Sequence, residues 1–160
     1  MQCERNTSLF CCNFTEILAA GILNHTFALK ILIMDIINCP CGSGTAFSHC
    51  CQPYHLKMKT APTAGALMRS RYSAFVVADA DYLYETTHSS KRNNHSKSGY
   101  LSSAKNTKWL KLEIVFSGFD VVEFKAYYLN KKFQTEVLHE KSNFRLEDGQ
   151  WYYVDGEFYE

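Results

Sequence analysis

No cysteine occurs after Cys51 in this chain of 160 residues, and neither sign of charge dominates it. Lys plus Arg number 17 against 16 for Asp plus Glu, a formal net charge of +1. That balance leaves no electrostatic footprint for a nucleic-acid backbone or an anionic membrane surface. The long cysteine-free remainder excludes a disulfide-stapled domain, whose bridges would be spread through the fold, and an odd total cannot pair completely. Uninterrupted apolar runs are also short. Ile17–Leu23 and Phe27–Ile37 are separated by Asn24-His25-Thr26 and broken by Lys30 and Asp35, so neither reaches the ~20 apolar residues of a spanning helix. Glu4 offsets Arg5 and no small-residue cleavage site follows, unlike a signal peptide. No internal repeat, low-complexity segment, Gly-rich phosphate loop or Ser/His/Asp or Cys/His nucleophile set is visible. These absences point to a cytoplasmic protein with no membrane partner and no evident catalytic residue.

What is present is concentrated in Cys39-Pro-Cys-Gly-Ser-Gly-Thr-Ala-Phe-Ser-His-Cys-Cys51. Two tight thiol pairs, Cys39/Cys41 and Cys50/Cys51, close the ends of this run. A tetrahedral Zn²⁺ takes four soft or borderline ligands, with sulfur at about 2.3 Å. Cys-x-Cys supplies two of them from one tight turn. Gly42 and Gly44 permit the positive φ such a turn needs and let backbone N–H groups face the sulfurs. Burial as small hydrophobes and disulfide pairing are the plain alternatives. Four thiols this close around Gly-Ser-Gly favour a metal over both. Cys39, Cys41, Cys50 and Cys51 are the first choice of ligands; His49, beside Cys50, keeps a Cys₃His set open because it obeys the same rule.

That run resembles the SEC-C zinc motif, named for the C-terminus of the SecA translocation ATPase. Downstream, Leu67-Met-Arg-Ser-Arg-Tyr-Ser-Ala-Phe75, Asp81-Tyr-Leu83 and Trp151-Tyr-Tyr-Val-Asp-Gly156 are similar to the bacterial YchJ-like (UPF0225) family, which pairs a SEC-C motif with an NTF2-like domain. The resemblance runs from about Met34 to Gly156. It implies an NTF2-like cone, a curved sheet over a long helix, behind an N-terminal zinc knob. Many members carry a second, C-terminal SEC-C motif that this sequence lacks. The organisation expected is an extension over 1–33, the zinc motif over 34–56 and the NTF2-like domain over 57–160. Residues 1–33 have no counterpart in the family pattern. Met34 as an alternative initiator explains them more economically than an amphipathic docking helix from Glu16 to Ile33.

The residues lead independently to an α+β fold. After a connector over 52–62, Thr63 reads as an N-cap, and apolar residues recur at helical spacing from Ala64 to Ala78. Leu67, Arg71, Ala74, Phe75 and Ala78 share a face. A short helix over 80–86, a polar loop over 89–99 and a third helix over 100–106 follow. Beyond Lys108 the period falls to two. Leu110, Leu112, Ile114 and Phe116 form one face of a first strand, and Val122, Phe124, Ala126 and Tyr128 one face of a second. Strands over 133–146 and 151–155 complete an antiparallel meander.

Two charges sit on apolar faces: Arg71 on the long helix and Glu140 with Leu138, Ser142, Phe144 and Leu146. Helix should lie on sheet, so the two are expected to meet. A partly buried ion pair fixing register is the preferred reading. A pocket of Arg71, Tyr72, His88, Tyr128 and Glu140 for a small polar or anionic ligand is the alternative. For the whole chain, a closed zinc site shapes a surface and does no chemistry. The expected function is therefore an interaction module with a protein partner. The SEC-C resemblance implies one related to translocation, a chaperone or the ribosome. A small-molecule-binding or enzymatic NTF2-like domain is the alternative. Nucleic-acid binding through Lys57 and Lys59 is the weakest reading.

Overall fold

The computed structural model describes residues 38–159. The start-site and docking-helix readings concern residues outside that range. The order of elements is α1 (Gln52–His55), α2 (Ala64–Val77), α3 (Ala80–Glu85), α4 (Lys97–Asn106), β1 (Lys108–Ser117), β2 (Val121–Leu129), β3 (Thr135–Glu147) and β4 (Gln150–Tyr159). The strands form one antiparallel sheet in the order β1-β2-β3-β4. Helices on an antiparallel meander are the α+β arrangement expected.

Helix α2 starts where the Thr63 hydroxyl accepts from the Ala66 N–H at 3.1 Å, satisfying an otherwise orphaned donor. It stops at Ala78, which turns left-handed at φ 59°, while the Asp79 N–H reaches back to the Ala74 carbonyl at 2.9 Å. Asp79 then caps α3 through the Tyr82 N–H. One face of α2, with Leu67, Met68 and Tyr72, packs with Leu112, Val122, Phe124, Ala126, Phe144 and Trp151 of the sheet. Ser70 and Ser73 are nonetheless fully buried. An apolar stripe does not account for them: α2 is covered on a second side by α3 and the cysteine loop.

Several boundaries differ from expectation for local reasons. The connector after Cys51 contains helix α1, with Pro53 in its first turn, where a missing N–H costs nothing. The polar loop holds a 3₁₀ turn over Ser89–Asn94, and α4 begins at Lys97 because Ser96 caps it through the Gly99 N–H. Strand β3 begins only at Thr135: the Asn130 side chain accepts from the Lys132 and Gln134 N–H groups, and Phe133 takes φ 60° in that turn. Strand β4 continues to Tyr159.

The inward face of β1 is also corrected. Register shifts leave Leu110 and Val115 without a partner on β2, and each bulge resets the alternation. Trp109, Leu112 and Ile114 therefore turn inward, while Leu110 and Phe116 are 46% and 55% exposed. A third bulge lies on β4, where Val154 is left without a partner between Asn143 and Phe144 of β3. There the end of α3 docks: the His88 N–H donates to the Tyr153 carbonyl, and the Tyr153 N–H to Thr86. That seam fixes Tyr153 beneath α2.

Candidate functional site

The cysteine loop is a miniature hairpin. Asn38 bridges Ala46, the Cys39 N–H donates to the Thr45 carbonyl at 2.7 Å, and Gly42 and Gly44 both take φ 76°. A 3₁₀ turn over Phe47–His49 then delivers Cys50, and Cys51 caps α1. The four sulfurs all lie within 4.8 Å of one another. A tetrahedron with sulfurs about 2.3 Å from its centre has edges of about 3.8 Å. Cys41 and Cys50 are 3.6 Å apart and Cys50 and Cys51 3.9 Å, so the donor set fits a four-coordinate metal ion. No disulfide joins these four thiols. His49 is exposed, its Nδ1 3.1 Å from the Ser48 hydroxyl, and it stands outside the cluster.

Three of the thiols are perturbed in opposite directions. Hydrogen bonds from the Cys39 and Cys51 thiols hold the Cys41 thiol far below its ordinary range, with further help from Ser43. Cys51 is pushed far up, chiefly because it is the donor to Cys39 and Cys41, and burial raises Cys50 to about 11. One thiolate thus forms readily and opposes the others, a conflict that a divalent ion removes. The groups facing the sulfurs are Ser43 and Ser73, whose hydroxyls lie 3.2 Å from Cys50 Sγ and 3.5 Å from Cys39 Sγ. Gly42 does not serve as such a donor, since its N–H bonds the Cys39 carbonyl.

The loop is pinned to α2. The Arg69 guanidinium donates to the Cys41 carbonyl at 2.8 Å, and His55 Nε2 to the Ser70 carbonyl at 2.9 Å. Phe47 meets the His55 ring edge-on at 5.4 Å, and His55 packs on Tyr82. Burial pushes His55 below its usual range, so it sits there neutral. The free rim is the exposed stretch 42–45 with His49.

On the other side of α2 lies a cavity of about 220 Å³, lined by Arg71, Tyr72, Trp109, Glu140 and Tyr153 among others. Arg71 and Glu140 both reach it, yet no ion pair joins them among the described residues. Arg71 Nη1 donates to the Leu83 carbonyl at 2.8 Å and the Thr86 hydroxyl at 2.7 Å. Its guanidinium lies 4.7 Å from the centre of the Tyr153 ring, within cation–π range. The Tyr153 hydroxyl in turn donates to Glu140 Oε1 at 2.9 Å, as Ser142 does at 2.7 Å. Burial raises the Glu140 carboxyl above its usual range against these bonds and the Arg71 charge. Gly156 makes the room, for a Cβ there would collide with the Glu140 carboxylate. Trp109 Nε1 is buried without a hydrogen-bond partner, which costs about 1–3 kcal/mol when left so.

The model of the YchJ middle NTF2-like domain matches residues 63–156, and that of the SEC-C motif matches residues 38–53. The chain belongs to the YchJ family. A UPF0225 protein of Serratia proteamaculans is 40% identical over 125 residues, spanning 74% of this chain and 81% of its own. The UPF0225 protein YchJ of Shigella dysenteriae is 40% identical over 124 residues with the same shares. A SEC-C motif containing protein of Rhodopseudomonas palustris, solved in solution, superposes with a TM-score of 0.71 at 32% identity, over 78% of this chain and all of that one. A crystal structure of a sec-c motif containing protein from Psychrobacter arcticus gives 0.65 at 28% identity, over 77% and 83%.

Within this YchJ-family fold, Arg71, Tyr72 and Glu140 share the cavity, but His88 and Tyr128 do not line it. His88 is buried beside Glu147 at 2.9 Å, and Tyr128 donates to Glu136 at 2.7 Å. Tyr153, Trp109, Tyr100 and His95 line the cavity and were not foreseen. Tyr153 stands in a motif singled out above, so a signal existed. Trp109 was hidden by the bulge at Leu110. No described helix is long and apolar enough to cross a membrane.

Proposed function

We propose that the chain is a zinc-dependent interaction module, with one structural Zn²⁺ held by Cys39, Cys41, Cys50 and Cys51. The observation that carries this reading is the complete set of four sulfur donors at tetrahedral spacing. Thiolates are soft ligands suited to zinc, and four of them leave no open coordination position for chemistry. The ion's work is then mechanical: it holds the rim over 42–45 in one shape, on a base anchored by Arg69 and His55. The thiols belong in a reducing compartment such as the cytoplasm. The partner, by the SEC-C resemblance, is a component of translocation, a chaperone or the ribosome.

Metal analysis of the purified full chain tests the first half: about one Zn²⁺ per chain, most of it lost in Cys50→Ser and none in His49→Ala. Co-sedimentation with ribosomes and binding to purified export chaperone test the second. Binding that survives both chelation and Ser43→Glu on the rim would refute the interaction reading and leave the metal assignment standing.

A further inference from the structure

The cone cavity has a donor set that its own residues do not use. Arg71 is only 5% exposed, and its hydrogen bonds all leave from Nη1. Nε and Nη2 carry none among the described residues, and no carboxylate there comes within ion-pairing distance of the guanidinium. Trp109 also lines the cavity, and its Nε1 is a buried donor without an acceptor. Glu140 presents the complement. Both its bonds fall on Oε1, which leaves Oε2 without a partner among the described residues.

We propose that this cavity binds a small single-ring carboxylate, its oxygens taken by the free edge of Arg71 and by the Trp109 N–H. The planar guanidinium edge matches a carboxylate in two-point geometry. Most of the remaining lining, including Tyr72, Phe75, Phe124 and Leu138, is aromatic or aliphatic and suits a flat apolar body. At about 220 Å³ the space lies below the roughly 300–1,000 Å³ of drug-sized ligand pockets, which selects one ring. The charged and titratable groups around it are Arg71, Glu140, His95 and the tyrosines 72, 100 and 153. Burial keeps His95 toward its neutral form and Glu140 toward its protonated one. Arg71 is the fixed positive charge of this lining and no carboxylate among the described residues pairs with it, so a monoanion complements it.

The experiment is a titration of the full, metal-loaded chain with benzoate and with benzamide, its neutral counterpart, followed by the two tryptophan indole N–H resonances. Benzoate should shift Trp109 saturably while Trp151 stays put, and benzamide should bind at least tenfold more weakly. Trp109→Phe keeps a ring and removes the donor; it should weaken benzoate roughly tenfold, as loss of a hydrogen bond to a charged acceptor predicts. Equal binding of the two probes overturns the proposal, as does a shift confined to other resonances or no shift at millimolar benzoate. Should Trp109→Phe fail to fold, the comparison of probes on the unaltered chain still decides the matter.

Discussion

Glu140 shows how one side chain depends on the absence of another. It points inward with Ser142 opposite Gly156 in the β3–β4 register, and the missing side chain of Gly156 is what leaves its carboxyl a place. Gly156→Ala should destabilise the protein by roughly 1–3 kcal/mol through overpacking. In denaturant titrations the loss should largely vanish when Glu140→Ala is made as well, a non-additivity that marks direct contact. The pH response has a definite sign. Burial raises the carboxyl above its ordinary 4.5, so its contribution is full below that pH and is lost as pH rises through the folded-state value. Glu140→Gln, uncharged throughout, should gain stability over the parent as pH rises from 4.5 to neutrality. Urea midpoints at two pH values measure it, and a gap that shrinks would contradict the account. Alternation alone told that Glu140 faces inward, and helical spacing told the same of Arg71. The sequence reading joined them directly because it had no way to see Tyr153 between them, placed by the seam between α3 and β4.

Helix α2 is the element on which both halves of the molecule lean. Its start was legible in Thr63 and its sheet-facing side in Leu67, Arg71 and Phe75, because capping and periodicity are local rules. Its second buried side was not, since no local pattern marks that α3 covers Ser70 and the cysteine loop covers Ser73. For the same reason the bulges in β1 escaped: a run of alternating residues carries no mark of where pairing slips. Chelating the metal should release the loop, because too few apolar residues hold it without an ion. The helix should then lose the Arg69 and His55 bonds to its outer face. The melting temperature should fall by roughly 5 °C or more, while amides of β2 and β3 keep their protection from hydrogen exchange. Unchanged melting would show that the loop is an independent appendage. Arg69→Ala should reproduce part of that fall with the metal still bound.

For the whole molecule, both matched regions lie within residues 38–156. A chain beginning at Met34 should fold, carry its metal and melt within a few degrees of the full chain. Thermal denaturation with metal analysis of both would show it, and aggregation or metal loss in the shorter chain would reject the start-site reading. The meander itself was legible from alternation and turns, and strand order follows because each strand pairs with its neighbour in sequence. The cavity was legible only in outline. Which residues close it depends on twist and bulges that the linear pattern does not encode.

Fourteen residues of α2 carry Arg69 and Ser73 toward the cysteine loop and Met68, Arg71, Tyr72 and Phe75 toward the cavity. Any coupling between the two sites would run through this rod. By thermodynamic reciprocity, an ion that changes the cavity's affinity by some factor must have its own affinity changed by the same factor. Zinc affinity measured with and without saturating benzoate, and benzoate affinity with and without zinc, should give one number twice.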